Sequence, residues 1–523
     1  MTMHASRRTF LKTTAAASAM LAIGFDAKGV LAKASPAGGN LSPFVTIYQD
    51  GTVAAIIKHF EGGQGAATGL SALIAEELNM RLQDITFEMA PSDPTRYNNL
   101  AFGPFQATGG SSAIANSFVQ YRTAGAAVRE MLIEAAAQQW GVAAGELVLK
   151  DGMISGGGKS GNIGEFVAAA AKLPVPAEPK LKDPSAWTVI GNPQKARKDT
   201  SDKINGQGKY AMDVHLDNMM VVAIKRTPRY GGVVASFDDN AAKEVPGFIT
   251  AAALPNQAGV VAYADNTWAA FQARDALSIE WDFSNAESRS SEEIKSELMA
   301  AVNADPEFQA TPTELAVASA AIEAADQIVE HAFYFPMLAH APMEPLNATI
   351  EPLEDGGVIM HDGAQGPTAN HKVMHEILGI PMEKIQVNTL YAGGFFGRRS
   401  TPASDYLVEL TLAFSMTDRD RPVKLVWSRE DDITGGYYRP AITHKVRVGL
   451  DPSGSIVGWD HRIACQSIFK GTFFEEFVVH EGVDHASVEG TSDTPYAIPT
   501  LHVGLTDARP ATTVNWWRSV GHS

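Results

Sequence analysis

The turn Glu61-Gly62-Gly63-Gln64-Gly65 separates two contrasting patterns in the sequence. Before it, residues 44–59 alternate between apolar and polar side chains around a central Asp-Gly pair, which predicts a β-hairpin. After it, apolar residues recur at helical spacing and predict an amphipathic helix over residues 68–82. Glycines let a backbone approach a ligand closely, and successive N–H groups can bind an anion. The turn is therefore a candidate binding position as well as a boundary between elements.

Two further turns of the same kind occur far away in the sequence. They are Thr108-Gly109-Gly110-Ser111-Ser112 and Gly393-Gly394-Phe395-Phe396-Gly397-Arg398-Arg399, the second entered from a predicted strand over residues 385–390. Gln64 and the two serines add side-chain donors and acceptors, and the two arginines can neutralise phosphate through paired hydrogen bonds. One such turn is typical of an ordinary loop. Three together favour a large ligand that carries a pyrophosphate.

Composition narrows the class of protein. The chain has 523 residues, enough for about two to four domains. Its net charge of −17 argues against binding nucleic acid or an anionic membrane surface. Cys465 is the only cysteine, which excludes internal disulfides and any iron–sulfur cluster held by this chain alone. After the amino-terminal region we find no apolar run of about 18 residues, so we predict no transmembrane segment.

The amino terminus resembles an export signal. Ser6-Arg7-Arg8-Thr9-Phe10-Leu11-Lys12 precedes an apolar run over residues 15–25 and a small-residue cleavage site at 31–34. This pattern predicts a twin-arginine signal peptide over residues 1–34, cut after Ala34. An ordinary secretory signal with a chance arginine pair is the alternative, which the Phe-Leu-Lys after the pair disfavours. We therefore expect a periplasmic protein, exported in its folded state with a cofactor already inserted.

The remaining chain mixes strands and helices, which predicts an α+β fold of several domains. We expect one domain segment over residues 35–200 and a small domain of short strands over 201–290, with a helix at 267–277. A third segment follows over residues 291–523, where apolar strands alternate with helices.

Three other functional patterns are incomplete or absent in this sequence. Gly63 and Gly65 begin a dinucleotide-binding pattern, but its third glycine is one place late at Gly69, and we predict a hairpin where that fold needs a parallel βαβ unit. His371 and His375 lie four residues apart but lack the HExxH pattern of zinc hydrolases, so we interpret them as helix-surface residues. No GxSxG elbow supports a serine hydrolase.

Three more motifs complete a specific set. They are His340-Ala341-Pro342-Met343-Glu344-Pro345, Ala364-Gln365-Gly366-Pro367 and Arg518-Ser519-Val520-Gly521. With the turns at 61–65 and 393–399, in this order, the chain resembles the molybdenum-binding subunit of the xanthine dehydrogenase and aldehyde oxidase family, and most closely its isoquinoline 1-oxidoreductase beta-subunit branch. The resemblance covers nearly the whole chain after residue 34. It implies a multi-domain molybdenum hydroxylase large-subunit architecture in which residues 201–290 form a small α/β hammerhead-like domain and the flanking segments bind molybdopterin.

The resemblance also implies an activity. The chain would be the molybdenum-cofactor subunit of an oxidoreductase that hydroxylates an N-heteroaromatic, isoquinoline-like substrate with oxygen from water. Its cofactor would be molybdopterin cytosine dinucleotide, and electrons would pass to iron–sulfur clusters on a separate small 2Fe-2S subunit. Two alternatives remain open: an aldehyde substrate within the same family, and a cofactor-binding remnant without activity.

Particular residues inherit roles from this resemblance. Gln365 would bind the apical oxo ligand, Phe396 and Gly397 would pack beside the metal, and Arg518 would lie near it. The pterin and its phosphates would be held by Gly63, Gln64, Ser111 and Ser112. No side chain would ligate molybdenum directly, because the pterin holds it. We interpret His340 and Glu344 as structural members of the pattern.

The sequence departs from the family pattern at two places. Phe395 replaces a usual glycine, and its bulk would crowd the approach of the cofactor. The family's general base is a glutamate in a glycine-rich segment far beyond the Arg518 region, and no residue here matches it. A general base contributes roughly 10²–10⁴-fold in rate. We therefore expect the 523-residue chain, made as such, to be incomplete at its carboxyl end, inactive and unstable.

Overall fold

The computed structural model describes residues 20–25, 31–33, 43–194 and 196–522, so the twin-arginine motif lies outside the described residues. The chain folds as two compact units. The first comprises the residues up to Val214 together with 359–371 and 385–392, and the second comprises 215–358, 372–384 and the residues from Gly393 onward. Both units mix helices with strands, which confirms the predicted α+β class.

A five-stranded sheet forms the frame of the first unit. Its strands are β1 (Met20–Phe25), β2 (Leu31–Lys33), β3 (Pro43–Tyr48), β4 (Val53–Ile57) and β5 (Ile85–Met89). They hydrogen-bond in the order β2-β1-β3-β4-β5. The predicted hairpin is confirmed, because β3 and β4 pair antiparallel and the backbone between them turns at Gly51 with a φ of 86°.

Strand β1 differs from the prediction for this segment. Residues 20–25 were expected in the apolar part of a signal peptide, yet they form an inner strand in which Leu21, Ala22 and Ile23 are buried. A short apolar run has no periodicity that separates a buried strand from other apolar segments, which is why the sequence did not reveal this one. Cleavage after Ala34 would remove both β1 and β2 from the sheet.

The connection from β4 to β5 also corrects the sequence analysis. Helix α1 (Ala66–Glu77) joins these two strands, and they pair in parallel. A parallel βαβ unit is thus present where only a hairpin was expected, because β4 belongs to both arrangements. The glycine spacing still departs from the dinucleotide-binding pattern.

A long helix covers the sheet of the first unit. Helix α2 (Phe118–Trp140) buries residues such as Tyr121, Val128 and Leu132 and ends at Gly141, whose φ of 69° is the left-handed conformation that glycine adopts at helix ends. The remaining strands of residues 43–214 are Val148–Lys150, Met153–Gly156 and Lys159–Asn162. Strand Ile385–Thr389 also belongs to this unit.

Two groups of five strands form the frame of the second unit. The first group runs in the order Phe248–Ala253, Gly259–Ala264, Met220–Arg226, Val423–Val426 and Asn347–Pro352. The second runs in the order Phe308–Gln309, Leu501–Asp507, Ile456–Cys465, Ile442–Leu450 and Gln327–Phe335. The longer helices are Thr267–Ala276, Ser291–Asn303, Leu315–Glu323 and Asp405–Ser415. Within the described ranges, every helix is too short or too polar to span a bilayer.

Candidate cofactor-binding site

A buried carboxylate organises the first glycine-rich turn. Glu61 is fully buried, and its Oε1 accepts hydrogen bonds from the backbone N–H of Gly63 at 2.8 Å and of Gly65 at 3.2 Å. Its Oε2 accepts the N–H of Ala67, in the first turn of α1, at 3.0 Å. The carboxylate thus satisfies a free N–H at the start of the helix and places negative charge at the positive end of its dipole. Sequence reasoning named Glu61 only as part of a motif.

The same contacts correct the anion-binding interpretation of this turn. Gln64 is exposed, donates from Nε2 to the carbonyl of Phe60 at 2.7 Å, and accepts the N–H of Gly62 at 2.9 Å. Since Glu61 and Gln64 take the N–H groups of three glycines, the turn has fewer free donors than predicted. Gly63 has a φ of 112° and open space where a side chain would point, so this position remains accessible.

The second turn is joined to the loop that carries Gln365. The N–H of Thr108 donates to the carbonyl of Gln365 at 2.9 Å, and Nε2 of Gln365 donates back to the carbonyl of Thr108 at 2.9 Å. These residues are 257 positions apart in sequence. Gln365 is 2% exposed, and its buried Oε1 has no hydrogen-bond partner within the described residues. The structure therefore brings two of the predicted motifs together.

The two serines of the second turn differ in accessibility. Ser112 is buried, donates to the carbonyl of Gly109 at 2.7 Å and accepts a hydrogen bond from Asn99 at 2.6 Å. Ser111 is exposed and has a φ of 54°, a left-handed backbone that is uncommon for serine. Ser112 thus stabilises the turn, whereas the hydroxyl of Ser111 is accessible to a ligand.

A buried histidine adjoins these turns and was missed by sequence reasoning. His59 is fully buried, and its Nδ1 lies 3.3 Å from Oγ1 of Thr108. Burial lowers the pKa of His59 to about 3, so the ring is neutral at physiological pH. Nε2 has no hydrogen-bond partner in the described part of the chain. Its position at the end of a predicted strand gave no signal for this contact.

In the second unit, Glu344 holds the start of the turn at 393–399. Its Oε2 accepts the N–H of Gly393 at 2.7 Å, and its own N–H donates to the carbonyl of Gly393 at 3.0 Å. A side chain at Gly393 would place its Cβ 2.5 Å from the Cβ of Glu344, which explains the glycine there. The interpretation of Glu344 as a structural residue agrees with these contacts.

The arginines of this turn do not support phosphate binding. Arg399 donates from Nη2 to Oε2 of Glu344 at 3.0 Å and from Nε to the carbonyl of Gly394 at 3.0 Å. Arg398 binds both carboxylate oxygens of Asp405, at 2.8 and 2.6 Å. Both side chains are only 1% exposed. They are buried in ion pairs that fix the turn, which corrects the predicted role.

The end of the same turn packs against residues 515–516. The ring of Phe396 is partly exposed, stacks on the ring of Phe395 at 6.5 Å, and has a φ of 54°. Gly397 has a φ of 106°, and a Cβ there would lie 2.4 Å from the carbonyl oxygen of Trp516. Asn515 donates to the carbonyl of Gly397 at 3.2 Å. The exposed Arg518 follows two residues after Trp516 in the same unit.

The surroundings of His340 and His371 test how the sequence analysis interpreted these two histidines. Nε2 of His340 lies 3.0 Å from the carbonyl oxygen of Trp516, and burial lowers the pKa of His340 to about 4, in keeping with a structural residue. His371 is 9% exposed, with Nδ1 3.3 Å from Oγ of Ser92, so its interpretation as a surface residue is wrong. Among the described residues, no cluster of three or more His, Cys, Asp or Glu side chains could hold a metal ion.

Comparisons with known proteins identify the family of the chain. Two family models, each described as a molybdopterin cofactor-binding domain, match residues 4–227 and 304–514. The chain is 28% identical to isoquinoline 1-oxidoreductase subunit beta of Brevundimonas diminuta, over 99% of this chain and 71% of that protein. It is 27% identical to the membrane-bound aldehyde dehydrogenase (pyrroloquinoline-quinone) of Gluconacetobacter polyoxogenes, over 93% of this chain and 64% of that protein.

A solved structure completes the comparison. Quinoline 2-oxidoreductase from Pseudomonas putida 86 aligns over 62% of this chain and 45% of its own, at 17% identity and a TM-score of 0.49. The chain thus spans less than half of that protein and about two thirds of the two relatives. By the two domain matches and the similarity along its whole length, the chain belongs to the molybdenum-cofactor-binding subunits of the xanthine dehydrogenase and aldehyde oxidase family of molybdenum hydroxylases.

Proposed function

We propose that this chain is the molybdenum-cofactor subunit of an oxidoreductase that hydroxylates an N-heteroaromatic, isoquinoline-like substrate with oxygen from water. The cofactor is proposed to be molybdopterin cytosine dinucleotide, and the protein to act in the periplasm after twin-arginine export. The observation that carries the proposal is the paired hydrogen bonding of Gln365 and Thr108. It joins the 364–367 loop of the family pattern to the second glycine-rich turn, beside a buried oxygen of Gln365 that has no hydrogen-bond partner among the described residues.

The residues of the first unit fit such a cofactor. A buried carbonyl oxygen without a partner costs about 1–3 kcal/mol, and a bound ligand that donates to Oε1 of Gln365 would remove this cost. The Nε2 group of Gln365 retains a second hydrogen for an oxygen of the ligand. Ser111 and the open flank of Gly63 supply an accessible hydroxyl and close backbone approach for the pterin and its phosphates.

Different residues of this chain would orient the cofactor and bind the substrate. When bound, the cofactor supplies a Lewis acid and a two-electron acceptor. Gln365 would orient it through its carboxamide. Phe396, held by the strained turn and partly exposed, would offer an aromatic surface to a planar heterocycle. Arg518, with an accessible guanidinium, would bind polar groups near the metal.

The electrons must leave through another protein. Cys465 is buried, and burial raises the pKa of its thiol to about 12, so the one cysteine of the chain is not an available thiolate ligand. An iron–sulfur cluster needs about four such ligands. We therefore propose a small 2Fe-2S subunit as partner, in line with a relative that is named as a beta subunit.

An aldehyde is the second candidate substrate. It is favoured by the similarity to a protein named as an aldehyde dehydrogenase, whereas the heterocycle is favoured by one named as isoquinoline 1-oxidoreductase. Reduction of an artificial electron acceptor by the purified complex, with isoquinoline and with a short aliphatic aldehyde in parallel, separates the two. Turnover of the aldehyde alone would overturn the heterocycle proposal. A complex with full molybdenum and no turnover of either substrate would identify a cofactor-binding remnant.

The variant Gln365→Ala tests the cofactor contact. We expect the molybdenum content per chain and the rate of dye reduction to fall at least tenfold, because the carboxamide is lost from the site. Metal analysis of the purified complex measures the first effect independently of activity. The matched control is Gln207→Ala at an exposed position, which should retain both properties. Full molybdenum content and activity in Gln365→Ala would refute the assigned role.

A further inference from the structure

Strand β1 occupies an inner position of the sheet in the first unit. It pairs antiparallel with β3, from Met20 opposite Tyr48 to Ile23 opposite Val45, and on its other side Ile23 pairs with Lys33 of β2. The backbone groups of β1 are therefore used on both edges. Removing this strand would leave β3 as a bare edge with unpaired N–H and carbonyl groups.

The side chains of β1 belong to the main core of the first unit. Leu21 is 1% exposed and Ile23 is fully buried. The ring of Phe25 meets the ring of Phe44 edge-on at 5.3 Å, and Phe44 meets Tyr121 of α2 at 5.0 Å. The strand thus connects the sheet to the helix that covers it, and its loss would expose apolar side chains of both.

The following strand is anchored in the same unit. Nζ of Lys33, in β2, donates to the carbonyl of Ala171 at 2.8 Å, 138 residues away in sequence. Both strands that precede the predicted cleavage site therefore make contacts that depend on distant parts of the fold. A removable signal peptide makes no contacts on which the rest of the fold depends, since the mature protein must be stable without it.

We propose that the strands Met20–Phe25 and Leu31–Lys33 remain in the mature protein as structural elements, and that the chain is not cut after Ala34. The same apolar residues cannot be buried in the sheet and also serve as the exposed apolar part of an export signal. An export machinery that accepts the folded protein would therefore have to recognise residues before Met20. This inference rests on strand pairing and burial and is independent of the proposed catalytic function.

The mass of the intact protein tests the proposal directly. The full chain would be expressed without an amino-terminal tag in a bacterium with a twin-arginine system and purified separately from cytoplasm and periplasm. Intact mass and amino-terminal sequencing then locate the first residue. A first residue at or before Met20 in the folded protein from each fraction where it occurs supports the proposal. A first residue after Met20, such as Ser35, overturns it.

Substitutions in β1 provide a second, independent measurement. Ile23→Ala removes buried apolar volume and should lower the Tm of the purified protein by several degrees, with Ile23→Val giving a smaller shift in the same direction. The matched control is Ile204→Ala, at an isoleucine that is 80% exposed, and its Tm should not change. An unchanged Tm for both substitutions at Ile23 would show that β1 is absent from the folded protein, contrary to the proposal.

Discussion

At the scale of single residues, Glu344 controls the turn that carries Phe396. Its carboxylate accepts hydrogen bonds from the N–H of Gly393 and the guanidinium of Arg399, and the ion pair with Arg399 is buried. Breaking a buried ion pair by removing one charge costs about 3–5 kcal/mol, because the remaining charge is left without compensation. The geometry of the turn therefore depends on one carboxylate that lies 49 residues before it in sequence.

The variant Glu344→Gln tests this dependence. The amide can still accept the N–H of Gly393 but leaves the buried charge of Arg399 without its carboxylate, so we expect a lower Tm and a lower molybdenum content per chain. Differential scanning fluorimetry and metal analysis measure these effects. Glu354→Gln, at an exposed position, is the matched control and should behave as the unmodified protein. A normal Tm for Glu344→Gln would contradict the assigned role.

At the scale of elements, Glu61 joins the turn 61–65 to the start of helix α1. Its carboxylate binds the N–H groups of the turn and of Ala67, and it also lies 3.2 Å from Arg197 and 3.4 Å from Lys203. In Glu61→Gln, we expect the start of α1 to be less stable, by about 0.5–2 kcal/mol from lost capping. Faster hydrogen exchange of amides 66–70 would confirm this effect. Exchange should not change in Glu178→Gln, an exposed control.

Local patterns explain which elements could be predicted from the sequence. The hairpin of β3 and β4 follows from the alternation of apolar and polar side chains, which is a local property. Glu344 contacts Gly393 and Arg399, and Glu61 contacts Arg197 and Lys203, all of them distant in sequence, so the residue types alone could not reveal these contacts. Strand β1 was missed because an apolar run is ambiguous when its partners are unknown.

In the candidate site, the sequence predicted which motifs matter better than it predicted the contacts and role of each residue. Gln365 and the turn at 108–112, which were both assigned to the cofactor from separate parts of the sequence, contact each other in the structure. Arg398 and Arg399 were assigned to a ligand because exposed arginines bind phosphate, yet Asp405 and Glu344 already pair with them. Whether an arginine is free depends on burial, and burial is a property of the tertiary structure.

At the scale of the whole molecule, buried neutral histidines predict sensitivity to acid. Burial lowers the pKa of His59 and His461 to about 3 and of His340 and His444 to about 4. The unfolded chain, with pKa values near 6.5, binds protons that the folded protein excludes. Stability from this source is complete above about pH 6.5 and falls as the pH decreases towards 4, by up to about 1.4 kcal/mol per pH unit for each histidine.

Unfolding measured between about pH 7 and about pH 5 tests this expectation. The Tm should fall as the pH is lowered across this range. The fall should be smaller in His461→Asn, because this variant lacks one of the uncharged rings; in the unmodified protein Nε2 of His461 lies 2.9 Å from Nδ1 of His444. His215→Gln, at an exposed histidine, should show the same pH dependence as the unmodified protein. A Tm that is constant over this range would argue against four histidine rings that stay uncharged in the folded protein.

The inner position of β1 has a practical consequence for anyone who fuses residues 1–34 to a reporter protein. Residues 1–34 transplanted onto another passenger would carry two strand segments without the sheet that they complete here. An apolar strand with free edges readily pairs with copies of itself, so such a fusion would tend to aggregate before any transport could be scored. Failure to export the reporter would then result from aggregation of an unpaired strand. It would not show whether the arginine pair is recognised.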